Sequence, residues 1–365
     1  MRIGYLLPGF SADENDQAIP VQDALVRELA QRCDLQIIPL RYPHHQTYYN
    51  WHGIGVYPLN GGTARGWRRL QLWQRAIRAI TELHRQQPFD LLHATWADET
   101  GLIAARTARK LGIPSVVSVV GGELVGLTDI AYGLQRSRFS RWIVRQALRA
   151  EHLIAISAYQ ARMLQARGTA QPHIIPFGVG EMWLKPTEAV QRDPYLLINV
   201  GSVIPVKDQQ LLLRALALLP TPFHAQIVGE GREQANLEML AKALEVTKRV
   251  QFCGKVAHDD LPAFYRQAAI HVQTSRHEGE GMVTLEAAAC GTPTVGTAVG
   301  ILADDADLGV AVPVGDATAL AEAILEMQTQ AAEYGGRARN AIEARYTLAQ
   351  SADAIMNVYE RARSG

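Results

Sequence analysis

Short runs of β-branched and aliphatic residues alternate along most of the chain with longer stretches of helical periodicity. In the first half the short runs are Arg2–Leu7, Leu35–Pro39, Leu91–Ala94, Ser115–Val120, Leu153–Ile156 and His173–Ile175. Between them, Val21–Gln31, Arg68–Gln86, Leu102–Leu111, Phe139–Arg149 and Ala158–Ala166 carry apolar residues at helical spacing. This alternation predicts a parallel sheet with helices on both faces. The pattern breaks at Gly178–Pro194, where Gly, Pro and charged residues predict an interdomain linker. It resumes at Tyr195–Val200, a continuous apolar run suited to a doubly buried strand. Further strands are expected at His224–Val228, Val250–Cys253, Ile270–Thr274, Thr294–Gly296 and Val310–Val312. Helices are expected at Asp208–Leu218, Arg232–Ala243, Leu261–Arg266, Met282–Ala289 and Ala317–Thr329. The α/β pattern predicts two doubly wound domains facing a cleft, with ligands beyond the carboxyl ends of the strands.

Composition fits that plan. The chain has 365 residues, 48% apolar and 20% charged, with a mean hydropathy of −0.05. Disordered, collagenous and coiled-coil chains are excluded by these values. At about 100–200 residues per domain, the length predicts two domains. Lys+Arg and Asp+Glu number 36 each, so no basic surplus points to nucleic acid. The balance is nevertheless uneven. Residues 1–186 carry 21 basic and 14 acidic side chains (+7), and residues 187–365 carry 15 and 22 (−7). Two domains with different partners could produce that segregation, and so could chance. Cys33, Cys253 and Cys290 are widely spaced, which predicts a reducing, cytoplasmic setting. No run reaches the ~18 apolar residues of a membrane span, and MRIGYLLPGF reads as a first strand rather than a leader.

Three strand-to-helix junctions in the second half carry candidate chemistry. In Gln273–Gly300 a strand enters a loop with Gly279 and Gly281, and a helix begins near Met282. Unpaired N–H groups and the positive end of the dipole at such a helix start suit a phosphate. Glu278 precedes the loop and Glu286 lies one turn into the helix, where a carboxylate can accept hydroxyl hydrogen bonds from a ribose or pyranose. An ordinary strand–helix turn accounts for the same residues. In Asn199–Lys207 the strand ends at Gly201, and Lys207 can neutralise a diphosphate or simply face water. The third junction, Val228-Gly229-Glu230-Gly231, has Gln234 at the last glycine position of G-x-G-x-x-G, so a dinucleotide fingerprint is not supported.

Together these junctions resemble the C-terminal half of family 4 retaining glycosyltransferases, which have the GT-B fold. The family's E-x7-E pair matches Glu278 and Glu286, preceded by Ser275-Arg276 and followed by Ala-Ala-Ala-Cys-Gly-Thr-Pro293. Lys207 matches the phosphate lysine and Gly229–Gly231 the glycine turn. Phe252-Cys-Gly254, Val256 and Leu261 match the strand and loop beside the nucleotide base. The likeness covers about Leu196–Leu325. Ser202 stands where the family usually has a basic residue, and Val120 where it commonly has a histidine. Gly9-Phe10, Gly121-Gly122, Glu123 and His93 are candidates for the acceptor side.

The resemblance implies two Rossmann-like domains facing a central cleft. Residues 1–178, completed by a C-terminal helix at 346–365, would bind the acceptor. Residues 179–194 would be the linker, and residues 195–345 would bind a nucleotide-diphosphate sugar. The sugar would be transferred with retention of anomeric configuration and without a metal or other cofactor. Glu278 would hold the sugar hydroxyls and Glu286 the ribose. Lys207 and the amides of Met282, Val283 and Thr284 would stabilise the departing diphosphate, with Gly201, Ser202, Gly254 and Gly281 lining the donor site. A catalytically weakened nucleotide-binding scaffold and a sugar-nucleotide epimerase are the alternatives. Asp305-Ala-Asp307 reads as a solvated loop rather than a metal motif, and His44, His45, His52, His93 and His277 lack metal-ligand spacing. Arg138, Arg141, Arg145 and Arg149 form a basic stripe beside Phe139, Trp142 and Ile143. That stripe suits peripheral contact with an anionic membrane face, or a solvated helix.

Overall fold

Buried aliphatic strands set the architecture, and polar caps fix where their helices begin. The computed structural model describes residues 1–14, 16, 18–44, 47–185 and 190–364. The chain divides into two units: Met1–Phe177 with Leu348–Gly365, and Gly178–Thr347. Asn-, Asp- or Ser-type side chains are the favoured helix starts because their oxygens take up orphan N–H groups. Asp98, Ser137 and Ser157 do this for three helices of the first unit.

The first unit opens with β1 (Arg2–Gly9), α1 (Pro20–Ala30), β2 (Asp34–Tyr42), β3 (Tyr49–Trp51) and β4 (Ile54–Val56). It continues through α2 (Gly66–Gln86), β5 (Leu91–Thr95), α3 (Glu99–Leu111) and β6 (Ser115–Val119). After these come α4 (Arg138–Ala147), β7 (His152–Ala155), α5 (Ala158–Gln165) and β8 (His173–Ile174). The strand order is β3-β4-β2-β1-β5-β6-β7-β8, and the pairs are parallel except β3 with β4. That hairpin was not expected from the sequence. It turns at His52 and Gly53, both with positive φ (46° and 83°), and buries Trp51 against Phe10.

The second unit runs through α6 (Glu181–Leu184), β9 (Asp193–Val200), α7 (Gln209–Leu218), β10 (His224–Val228) and α8 (Gln234–Ala243). Next are β11 (Val250–Gly254), α9 (Leu261–Gln267), β12 (Ala268–Gln273) and α10 (Met282–Ala289). The unit closes with β13 (Thr294–Thr297), β14 (Gly309–Val312) and α11 (Ala317–Arg345). Its six strands are parallel in the order β11-β10-β9-β12-β13-β14. The last helix, α12 (Leu348–Ser364), packs on α1 of the first unit.

Two expectations are corrected. The segment 179–194 is not a bare linker: Val179 and Trp183 are buried in the second unit's core, and β9 already begins at Asp193. Of that segment, residues 186–189 lie outside the described residues, as does His45. Helix α11 also runs past Thr329 to Arg345, through Gly335. A Cβ there would stand 2.2 Å from the carbonyl oxygen of Gly291, so this glycine serves a close approach rather than a helix end.

Candidate functional site

Adjacent strands β10, β9 and β12 bring the three glycine junctions to one end of the second sheet. Their loops are bonded to one another. Gly201 N–H donates to the Val228 carbonyl (2.9 Å), Val203 N–H to Glu230 (2.9 Å) and Gly229 N–H to Gly254 (2.8 Å). The approach is too close for side chains. A Cβ on Gly229 (φ 138°) would lie 2.0 Å from the Gly201 oxygen, and one on Gly231 would lie 2.2 Å from that of Val203. Ser202 is exposed on this surface, its carbonyl accepting from Gln209 (3.1 Å).

The loop after β9 is clamped to the loop after β12. Thr274 Oγ1 donates to the Lys207 carbonyl (2.7 Å), and Arg276 N–H to that of Val206 (2.8 Å). The Lys207 ammonium consequently reaches Glu278 Oε1 at 2.5 Å, and Ser275 Oγ donates to the same oxygen at 2.5 Å. Their side chains are 24% and 13% exposed, so the pair is accessible from one side. Lys207 and Glu278 were expected to take different parts of one ligand; in this structure they hold each other.

Helix α10 starts from Gly281 in the left-handed region (φ 92°), where a Cβ would meet Gln273 Oε1 at 2.8 Å. Thr284 Oγ1 donates to that oxygen (2.9 Å), and Thr284 N–H donates to the Gly281 carbonyl (2.8 Å). The expected role of the Thr284 amide toward a phosphate is therefore corrected, because the amide is used inside the first turn. Met282 and Val283 are part-buried and keep the first-turn positions that an α-helix leaves without intrahelical acceptors.

Glu286 faces a different set. Tyr265 Oη donates to its Oε2 (3.2 Å), and His258 Nε2 stands 3.8 Å from Oε1. The carboxylate raises the His258 pKa, while burial, followed by Glu286, holds the Tyr265 hydroxyl well above its usual range. His258 and Tyr265 were not foreseen, since no sequence spacing links residues 258 and 265 to 286. Val256 and Leu261 pack into the core beside this helix, and Leu261 is buried. Gly254 (φ 68°) ends β11.

The acceptor-side candidates fare differently. Gly9 sits at an irregularity of β1 against Tyr42, but Phe10 is buried under Trp51 and offers no open surface. His93 is 1% exposed, with Nδ1 2.6 Å from Tyr359 Oη and Nε2 2.8 Å from Ser118 Oγ. Burial pushes its pKa down to about 3, so it is a neutral core group rather than a ligand. Glu123 is also buried, accepting from the N–H groups of Ala97 (3.2 Å), Val120 (2.9 Å) and Gly121 (2.5 Å). It shapes the loop of Gly121 and Gly122, where a Cβ on Gly122 would meet Tyr132. Asp305 and Asp307 are tied to Arg345 (2.7 and 2.8 Å), which accounts for both carboxylates.

Two doubly wound units, parallel apart from the β3–β4 hairpin, define a GT-B architecture, and solved structures agree. Sucrose-phosphate synthase from Thermosynechococcus elongatus superimposes with a TM-score of 0.83 at 20% identity over 100% of both chains. Anabaena HepE in complex with UDP and glucose gives 0.76 at 19%, over 99% of this chain and 100% of that one. The family model "Glycosyl transferases group 1" matches residues 184–345, and "Glycosyl transferase 4-like domain" matches residues 20–180. D-inositol 3-phosphate glycosyltransferase of Mycolicibacterium gilvum is 30% identical over 308 residues, 76% of this chain and 67% of the relative. N-acetyl-alpha-D-glucosaminyl L-malate synthase of Bacillus anthracis is 29% identical over 295 residues, 77% and 76% respectively. The chain therefore belongs to the group 1 glycosyltransferase family, of the family 4 type.

Proposed function

We propose that this glycosyltransferase moves a hexosyl-type sugar from a nucleotide-diphosphate donor to an acceptor with retention of configuration, without a metal. The observation that carries the reading is the Lys207–Glu278–Ser275 cluster beside the start of α10, with Glu286 on the same helix. A diphosphate leaving group gains negative charge as the glycosidic bond breaks, and Lys207 with the amides of Met282 and Val283 stabilises it. Glu278, released from Lys207 by the incoming diphosphate, accepts from hydroxyls of the transferred sugar. Glu286 accepts from the ribose.

The relatives are named for an inositol phosphate and for malate, and HepE was solved with UDP and glucose; a uridine donor and a small anionic acceptor are the first to try. The acceptor belongs to the first unit, near Gly9 and Gly121-Gly122. The three free cysteines support a reducing, cytoplasmic setting. No helix among the described residues is long and apolar enough to cross a membrane. Peripheral contact through Arg138–Arg149 is part of the proposal, with Phe139 48% exposed and Arg69 over its ring. The test is a thermal-shift screen of nucleotide-sugars, followed by acceptor assays with the best donor. Product carrying the donor's anomeric configuration by NMR supports the reading; inversion, or free sugar alone, overturns it.

A further inference from the structure

Helix α4 divides the basic stripe between two surroundings. On one flank, Phe139 stacks on Trp73 and Trp142, with Arg106 over the Trp142 ring. On the other, Arg141, Arg145 and Arg149 line a groove of about 640 Å³ together with Arg167, His152 and His173. The two histidines are the first residues of β7 and β8, so the groove lies at the amino ends of these strands. Gly121 and Gly122 follow the carboxyl end of β6, at the opposite end of the same sheet. The groove is thus a separate place from the residues expected to meet an acceptor.

Its charge is concentrated and poorly compensated. Four guanidinium groups meet a single lining carboxylate, Glu151. Among the described residues no acidic side chain pairs with Arg141 or Arg145, whereas Arg167 is anchored by the carbonyls of Met163 and Leu124. The rings of His152 and His173 lie 5.8 Å apart. Burial lowers the His173 pKa, and the neighbouring His152 and Arg361 lower it further, as expected in a positive field. Thr169 Oγ1, on the same wall, is buried without a hydrogen-bond partner among the described residues. Arg141, Arg145, Arg149 and Arg167 are exposed, so an anion can reach all four from solvent. Arginine forks are suited to phosphate oxygens in particular.

We propose that this groove is a second anion site, which binds a phosphate-bearing group between α4 and the chain entering β7 and β8. The site uses none of the residues assigned to sugar transfer, but its headgroup form rests on the peripheral contact proposed for Arg138–Arg149; loss of vesicle binding with sugar transfer intact would count against that contact alone. Two sources offer the same chemistry, a free phosphate ester and a phospholipid headgroup.

The test is calorimetric titration with glycerol phosphate, with the donor site saturated by a nucleoside diphosphate. A parallel arm uses co-sedimentation with vesicles of zwitterionic phospholipid prepared with or without an added anionic phospholipid. In either arm, Arg141→Gln combined with Arg145→Gln should weaken binding about tenfold or more, the effect of losing a charge-assisted hydrogen bond. Glu151→Gln, which removes the lining carboxylate, should strengthen it, an effect that misfolding would not produce. Binding of the soluble ester assigns a free ligand, and binding of anionic vesicles alone assigns a headgroup. Absence of binding in both arms, or binding unchanged by these substitutions, overturns the proposal.

Discussion

Replacing Glu278 by Gln should move turnover and product affinity in opposite directions. The substitution keeps the side-chain shape and an acceptor for Ser275, but removes the charge that Lys207 approaches at 2.5 Å. A hydrogen bond to a charged group is worth about 1.5–3 kcal/mol, so loss of the charged acceptor toward the moving sugar should lower kcat by about tenfold or more. Lys207 is meanwhile freed for the diphosphate. Because the pair is 24% and 13% exposed, solvent discounts that gain to about 1 kcal/mol, a roughly fivefold tighter nucleoside diphosphate. Steady-state kinetics gives the first quantity and isothermal titration the second. Equal losses in turnover and diphosphate affinity, or a kcat within about twofold of wild type, would refute the assigned roles.

Other substitutions separate ribose binding, loop geometry and core burial. Glu286→Gln should weaken substrate and product nucleotide alike, raising KM about tenfold with little change in kcat. The same change should return the raised His258 pKa toward its ordinary value, read by NMR. By linkage, the wild type's advantage from that pair should be present below pH ~6.5 and be lost as pH rises through the raised value. Gly229→Ala, with its Cβ 2.0 Å from the Gly201 oxygen, should cost about 3 kcal/mol or more and lower the second unit's Tm by roughly 6–12 °C. His93→Gln tests the buried imidazole, whose pKa is pushed down to about 3. The unfolded chain takes up a proton below pH ~6.5 and the native one does not. Wild-type stability over the variant should therefore shrink by up to about 1.4 kcal/mol per pH unit as pH falls, measured by urea denaturation.

Most strands and helices were legible because short β-branched runs alternate with helical spacing; the strand expected at His224–Val228 and the helix expected at Met282–Ala289 coincide with β10 and α10. The β3–β4 hairpin was hidden because its three-residue strands are too short for periodicity to register, and Gly55 interrupts the second. The helix expected at Ala317–Thr329 runs on to Arg345, and its Gly335 is needed by a contact with a residue 44 positions away, Gly291. The donor-side glycines and Glu278 were readable because their spacing is local. Burial was not readable: His93 and Glu123 look like reactive groups in sequence, and only packing shows that Tyr359, Ser118 and backbone amides occupy their atoms. The partners of Glu286 were equally invisible, since packing of α9 against α10 rather than any sequence spacing brings Tyr265 to it.

The most direct test of a metal-independent nucleotide-sugar site on the second unit is titration of nucleoside diphosphates and their sugars with a chelator present. Wild type and Lys207→Ala should be compared under the same conditions. Saturable binding to wild type, stabilising the fold by about 2.7 kcal/mol at a hundredfold excess over Kd and weakened tenfold or more by Lys207→Ala, is the predicted result. Binding that requires a divalent ion, or that Lys207→Ala leaves unchanged, would contradict it.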